Sequence, residues 1–193
     1  MEALQLENVV LIGFSMGGGE VVKYFSRHGG KGVSKAVLVS AIAPYLLQIA
    51  DNPDGVPQAE FDEITQNIKL DRAGFLGGFA KDFYGVGFLS SPVSDELLTS
   101  NLITAMQATL NATLKCAASF SSTDLRADMA AVHVPTLIIH GDADKTVPIK
   151  PTGEQAAQMI NGAQYLVYEG EPHGLFITAK DRLNKDLIAF LQS

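Results

Sequence analysis

The sequence predicts an α/β fold: a parallel sheet covered by helices on both faces, with a long helical insertion between its second and third strands. Three observations predict it. Four short runs rich in Val, Ile and Leu, at 8–12, 35–41, 135–140 and 164–169, are nearly continuous rather than alternating, as strands buried on both faces read. Helical periodicity separates most of them, so strand and helix alternate along the chain. Residues 42–131 stand between the second and third runs and far exceed an ordinary crossover. The 193 residues suffice for one domain with a sizeable core, and 47% of them are hydrophobic, which excludes disorder.

Each element follows in order. After the first strand, residues 16–27 set Val21, Val22 and Phe25 on one side of a helix, and Gly29-Gly30 supplies its C-cap. The second strand leads into the insertion, which opens on the turn-rich run Asp51-Asn52-Pro53-Asp54-Gly55-Val56-Pro57. A helical region starts near Gln58 and is broken at Gly74, Gly77-Gly78, Gly85 and Gly87, and one further long helix spans 94–119. The insertion leaves the carboxyl end of a strand, where ligands bind in open α/β sheets, so it reads as a cap. The division is therefore a core of residues 1–41 and 132–193, with a helical cap at 42–131. Residues 152–160 connect the third and fourth strands. Residues 181–191 place Leu183, Leu187, Ile188 and Leu191 on one face, to be laid against the sheet.

Composition narrows the function. The formal net charge is -7 and no dense Lys/Arg cluster occurs, which argues against nucleic acid as a partner. Cys116 is the only cysteine, so no intrachain disulfide forms. The amino-terminal residues lack the basic start and apolar run of a secretory signal, and no apolar stretch is long enough to span a bilayer. The expectation is a soluble cytoplasmic protein with no membrane association. No His/Cys cluster has ligand spacing, so nothing in the sequence looks like a metal site.

The chemistry lies in Gly13-Phe14-Ser15-Met16-Gly17. A strand precedes this G-x-S-x-G run and a helix follows it, the context of a sharp elbow that presents a serine hydroxyl to substrate. Small flanking residues let strand and helix approach closely. A serine needs a base and a carboxylate to act as a nucleophile. His28 ends a helix, His133 precedes a strand, and His140 ends a strand where it would order the next turn. His173, in Gly170-Glu171-Pro172-His173-Gly174 just past the last strand, shares the carboxyl edge of the sheet with Ser15 and is the candidate base. Asp142 and Asp144 both follow the third strand on that edge; one should orient His173 and the other cap the turn.

Together with these, the runs Gly17-Gly18-Gly19-Glu20, Val134-Pro135-Thr136-Leu137-Ile138-Ile139-His140-Gly141-Asp142, Val147-Pro148-Ile149, Pro172-His173-Gly174-Leu175 and the segment 112–129 resemble the cofactor-free bacterial chloroperoxidases. These proteins, also called perhydrolases or arylesterases, are α/β-hydrolases. The resemblance covers nearly the whole chain. It implies an α/β-hydrolase sheet with a cap, a serine esterase acting on small aryl or alkyl esters, and acyl transfer to peroxide as a side activity. It puts the acid on Asp144 and one oxyanion donor on the Met16 backbone N–H. Phe14, Leu175, Phe176 and apolar cap residues become candidates for the acyl pocket.

The pattern also departs from that family, whose members place several strands ahead of the nucleophile strand. The expectation is a sheet with a truncated N-terminal half. Its second oxyanion donor is absent, a loss that costs about 10²–10³ in turnover where measured. The run from Val9 to Ile12 then becomes an exposed edge that pairs with a second copy of the chain, making a homo-oligomer. The competing reading is a weak or inactive hydrolase scaffold that oligomerises or binds small apolar ligands.

Overall fold

A computed structural model describes residues 1–193. Four strands form one sheet in the order β1-β2-β3-β4, all parallel: β1 (Val9–Phe14), β2 (Val33–Val39), β3 (Thr136–Gly141) and β4 (Gln164–Tyr168). Helix α1 (Met16–His28) joins β1 to β2. Between β2 and β3 run α2 (Gln58–Leu70), α3 (Arg72–Phe83), α4 (Asp95–Met106), α5 (Leu110–Ser122) and the short α6 (Arg126–Met129). A π-helical turn, Lys150–Glu154, leads into α7 (Gln155–Met159), and α8 (Leu175–Thr178) and α9 (Lys180–Gln192) follow β4.

The continuous apolar runs are explained by burial on both faces. In β2, Ala36 and Leu38 point into one core while Val37 and Val39 point into another; in β3, Ile138 opposes Leu137 and Ile139 in the same way. The first core is closed by Val21, Val22 and Phe25 of α1, with Met129 and Ile160. Burying side chains such as Val22 and Phe25 is worth roughly 1.5–3 kcal/mol each. The second core is closed by Leu175, Leu183 and Phe190 from α8 and α9. A third, smaller cluster joins Ile42, Leu46, Phe61 and Val147, and so fixes α2 of the insertion to the carboxyl edge of the sheet.

Three sequence expectations about helices are corrected. Residues 94–119 form two helices rather than one, because the Thr109 hydroxyl accepts a hydrogen bond from the Ala112 N–H (3.1 Å) and starts α5 afresh. Gly74, Gly77 and Gly78 do not break the chain; they lie inside α3. Asp71 caps that helix at the Gly74 N–H (2.9 Å), and Phe75, Phe79 and Phe83 stack along one side, which outweighs a glycine penalty of about 1 kcal/mol each. In α9, Leu183 and Phe190 face the sheet, whereas Ile188 and Leu191 are exposed. Phe190, seven residues after Leu183, takes the inward position on the same helix face. No helix is long and apolar enough to cross a membrane.

Candidate active site

Phe14 stands level with Val39, and Val39 with Ile139, so the chain leaves β1, β2 and β3 at one common carboxyl edge. Ser15 makes the exit from β1 with φ 52° and ψ -121°, a conformation that L residues rarely adopt and that costs on the order of 1–3 kcal/mol. Backbone bonds hold it there: its N–H donates to the Val39 carbonyl (2.9 Å), and its carbonyl accepts from the Gly18 (3.0 Å) and Ile42 (3.2 Å) N–H groups. A Cβ on Gly13 would lie 2.5 Å from the Gly17 carbonyl oxygen, and one on Gly18 would overlap the Ala41 methyl. Gly17 itself faces open space, so the tight approach rests on Gly13 and Gly18 rather than on both glycines of the pentapeptide.

His173 sits on the loop after β4 and is 1% exposed. The loop is tied to the insertion by the Gly174 N–H, which donates to the Phe83 carbonyl (2.7 Å); a side chain at Gly174 would overlap the Tyr84 ring. His173 Nε2 is 2.9 Å from Ser15 Oγ, and Nδ1 is 2.6 Å from Asp144 Oδ2. A carboxylate only accepts, so Nδ1 carries the hydrogen and Nε2 is left to receive the Ser15 proton.

The two aspartates separate cleanly. Asp144 is 6% exposed, and its Oδ1 accepts from the Thr146 (2.9 Å) and Val147 (2.7 Å) N–H groups. Burial alone would raise its carboxyl. The hydrogen bonds from His140, His173 and the Val147 N–H outweigh burial and hold it below the usual carboxylate value. Asp142 is exposed and accepts from the Gly170 N–H (2.6 Å), so it links the loops after β3 and β4 instead. His28 and His133 lie on the surface away from this cluster. His140 closes the turn after β3, its Nε2 lying 2.9 Å from the Val147 carbonyl. The Met16 N–H opens α1, where no earlier helical turn supplies an acceptor.

Aromatic rings enclose the imidazole. Phe14 and Phe83 each stand 4.9 Å from the His173 ring, centroid to centroid, and Phe176 stands 4.9 Å from Phe14. Leu175 does not join them: it is fully buried in the second core, where the first turn of α8 packs under the sheet. Sequence reasoning missed Phe83 and the aromatic lining that the insertion supplies. Phe61, Phe75, Phe79 and Phe120 line a cavity of about 490 Å³ that also touches Lys145 and Thr146, beside Asp144. The signal was the spacing of Phe75, Phe79 and Phe83 by four residues, hidden among the glycines read as breaks.

Comparisons with known proteins agree with this fold. A family model described as the alpha/beta hydrolase fold matches residues 1–180. A non-heme chloroperoxidase of Streptomyces lividans is 39% identical over 193 residues, which are 100% of this chain and 70% of that protein. A bifunctional esterase/perhydrolase of Acinetobacter calcoaceticus is 34% identical, over 100% of this chain and 70% of its own length. The crystal structure of a bromoperoxidase from Bacillus anthracis superposes with a TM-score of 0.96 at 38% identity, again over 100% of this chain and 70% of the other. The chain belongs to the α/β-hydrolase fold family, within its group of non-heme haloperoxidases and esterases, and is a hydrolase of that type.

Proposed function

We propose that this protein cleaves small carboxylic esters through an acyl-enzyme formed on Ser15, with His173 as base and acid and Asp144 orienting His173. The observation that carries the reading is the unbroken line from Ser15 Oγ to His173 (2.9 Å) and from His173 to Asp144 (2.6 Å), set at a strained elbow. Ser15 Oγ attacks the ester carbonyl carbon as its proton passes to His173 Nε2. The Met16 N–H stabilises the oxyanion. Collapse breaks the bond to the leaving oxygen, which takes the proton from His173. Water then repeats the sequence on the acyl-enzyme, releasing the acid and restoring Ser15. Hydrogen peroxide in place of water yields a peracid, which oxidises halide to hypohalous acid and is itself reduced to the carboxylic acid.

The cavity favours aryl and short alkyl esters. Its Phe61, Phe75, Phe79 and Phe120 side chains offer apolar area, and Phe79 stands 6.0 Å from Phe83, the ring that flanks His173. Incubation with a fluorophosphonate, read by intact mass, tests the serine. One adduct per chain is expected for the wild type and none for Ser15→Ala. A folded wild type that takes up no reagent overturns the proposal.

The same protein is proposed to pair with a second copy of itself along β1, which forms one edge of the sheet. Ile12 on that strand is 50% exposed. An apolar edge with unpaired N–H and C=O groups favours strand addition.

A further inference from the structure

The acid of the proposed site is held by more than its histidine base. Both oxygens of Asp144 face N–H groups. Oδ1 takes two from the backbone of Thr146 and Val147, and Oδ2 takes His173 Nδ1 at 2.6 Å. A second histidine approaches the same oxygen: His140 Nε2 lies 3.4 Å from Asp144 Oδ2 and 2.9 Å from the Val147 carbonyl. Its ring is fully buried at the end of β3.

The surroundings fix which nitrogen carries the hydrogen. The Val147 carbonyl and the Asp144 carboxylate only accept, so Nε2 is the donor. Nδ1 has no hydrogen-bond partner and faces Gly153 in the π-helical turn, where a Cβ would lie 2.7 Å away. A hydrogen on Nδ1 would be a buried donor with no acceptor, which is the more costly error. His140 therefore directs its single N–H at a fork formed by the Val147 carbonyl and Oδ2. Val147 in turn donates its own N–H to Oδ1. The ring donates to the Val147 carbonyl and stands 3.4 Å from Oδ2, so it holds Asp144 chiefly through Val147, with a longer electrostatic contact to Oδ2. Gly153 leaves the space into which it fits.

We infer that His140 is a positioning residue for the reaction: it holds Asp144 at the distance and angle from which Asp144 orients His173. It touches neither substrate nor Ser15. This rests on the proposed role of Asp144. Loss of the His140 N–H slackens the acid and misaligns His173, so it lowers kcat and leaves substrate binding alone. Other ionisable groups at this place include Lys145, next to Asp144 in the chain, Asp82, which lines the same cavity as Lys145, and Glu171, on the His173 loop, whose carboxylate is taken by the Thr178 hydroxyl.

The test compares four variants with the wild type, using p-nitrophenyl acetate as the probe. His140→Phe keeps the ring volume without the donor, and His140→Gln keeps a donor. Gly153→Ala presses on the ring from behind, where its Cβ would meet Nδ1. Asp144→Asn is the control for the parent reading. The expected result is a fall in kcat of about tenfold to a hundredfold for His140→Phe, with KM within about twofold. His140→Gln should recover most of that loss, and Gly153→Ala should lower kcat in the same direction. If His140→Phe does not fold, Gly153→Ala and His140→Gln decide the matter. Wild-type kcat in His140→Phe overturns the inference, as does a loss in His140→Gln equal to that in His140→Phe, which would mean the ring only fills space. Full activity in Asp144→Asn overturns instead the role of Asp144 on which the inference stands.

Discussion

Asp144 and His173 are joined by a 2.6 Å hydrogen bond between two side chains almost wholly withdrawn from water. The contact has a consequence for stability. The Asp144 carboxyl lies below its ordinary value in the folded protein: burial pushes it up, and the N–H groups of His140, His173 and Val147 push it down further. A depressed carboxyl stabilises the fold above the unfolded value, near 3.9, and that contribution is lost as pH falls through the folded value. The melting temperature of the wild type should therefore decline as pH drops below about 4. Asp144→Asn should start lower at neutral pH and show a flatter acid decline. Differential scanning calorimetry between pH 3 and 7 reads both. Parallel curves for the two proteins would remove Asp144 from the acid response.

The strained Ser15 predicts a division between activity and stability. Its φ of 52° suits glycine far better than any residue with a Cβ. Ser15→Gly and Ser15→Ala should each lower esterase turnover by about 10⁴-fold or more, since the nucleophile is gone in both. Only Ser15→Gly relaxes the backbone, and it should exceed Ser15→Ala in stability by about 1 kcal/mol. Urea unfolding of the two variants measures the difference.

The two glycines of the pentapeptide are unequal. A Cβ at Gly13 meets the Gly17 carbonyl oxygen at 2.5 Å, where only backbone movement makes room, while a Cβ at Gly17 meets nothing within 4 Å. Gly13→Ala should cost about 1–3 kcal/mol by overpacking, and Gly17→Ala should fall within about 0.5 kcal/mol of the wild type. Denaturation midpoints decide this, and equal losses in both variants would refute it.

What was legible in the sequence follows from how local each signal is. Ser15 stands in a motif whose strand and helix are its immediate neighbours, and His173 stands in a short loop at the end of a strand, so both could be placed from spacing. Asp142 and Asp144 are two residues apart on the same loop. Only the packing separates them, since Gly170 and His173, which reach them, come from the far side of β4. The break before α5 depends on whether the Thr109 hydroxyl caps or points to solvent, which periodicity does not encode. The grip of His140 on the acid loop was half legible: a turn-ordering role follows from its place at a strand end, and the contact with Asp144 Oδ2 does not.

The aromatic cavity predicts selectivity. Phe79 lines it and also stacks between Phe75 and Phe83, the ring that flanks His173. Phe79→Ala should raise KM for a phenyl ester about tenfold relative to that for ethyl acetate, since removing apolar contact to one substrate discriminates by roughly 1–3 kcal/mol. The kcat ratio should move less. Steady-state kinetics on the two esters measures the split, and an equal change in both KM values would place the aryl group elsewhere.

The free edge of β1 carries the last prediction. Only the β2 side of this strand is paired, and Ile12 stands half exposed on it while Leu11 packs into the first core. Ile12→Lys places a charge on the edge without opening the core. It should abolish self-association in sedimentation velocity at micromolar concentration and leave the unfolding free energy from urea titration within about 0.5 kcal/mol of the monomer's own. Leu11→Ala removes core volume from the same strand. It should lower stability by about 2–5 kcal/mol and weaken association with it. The pair of variants separates an edge used for assembly from a strand that merely needs its core. A wild type that sediments as a monomer across the concentration range rules the interface out.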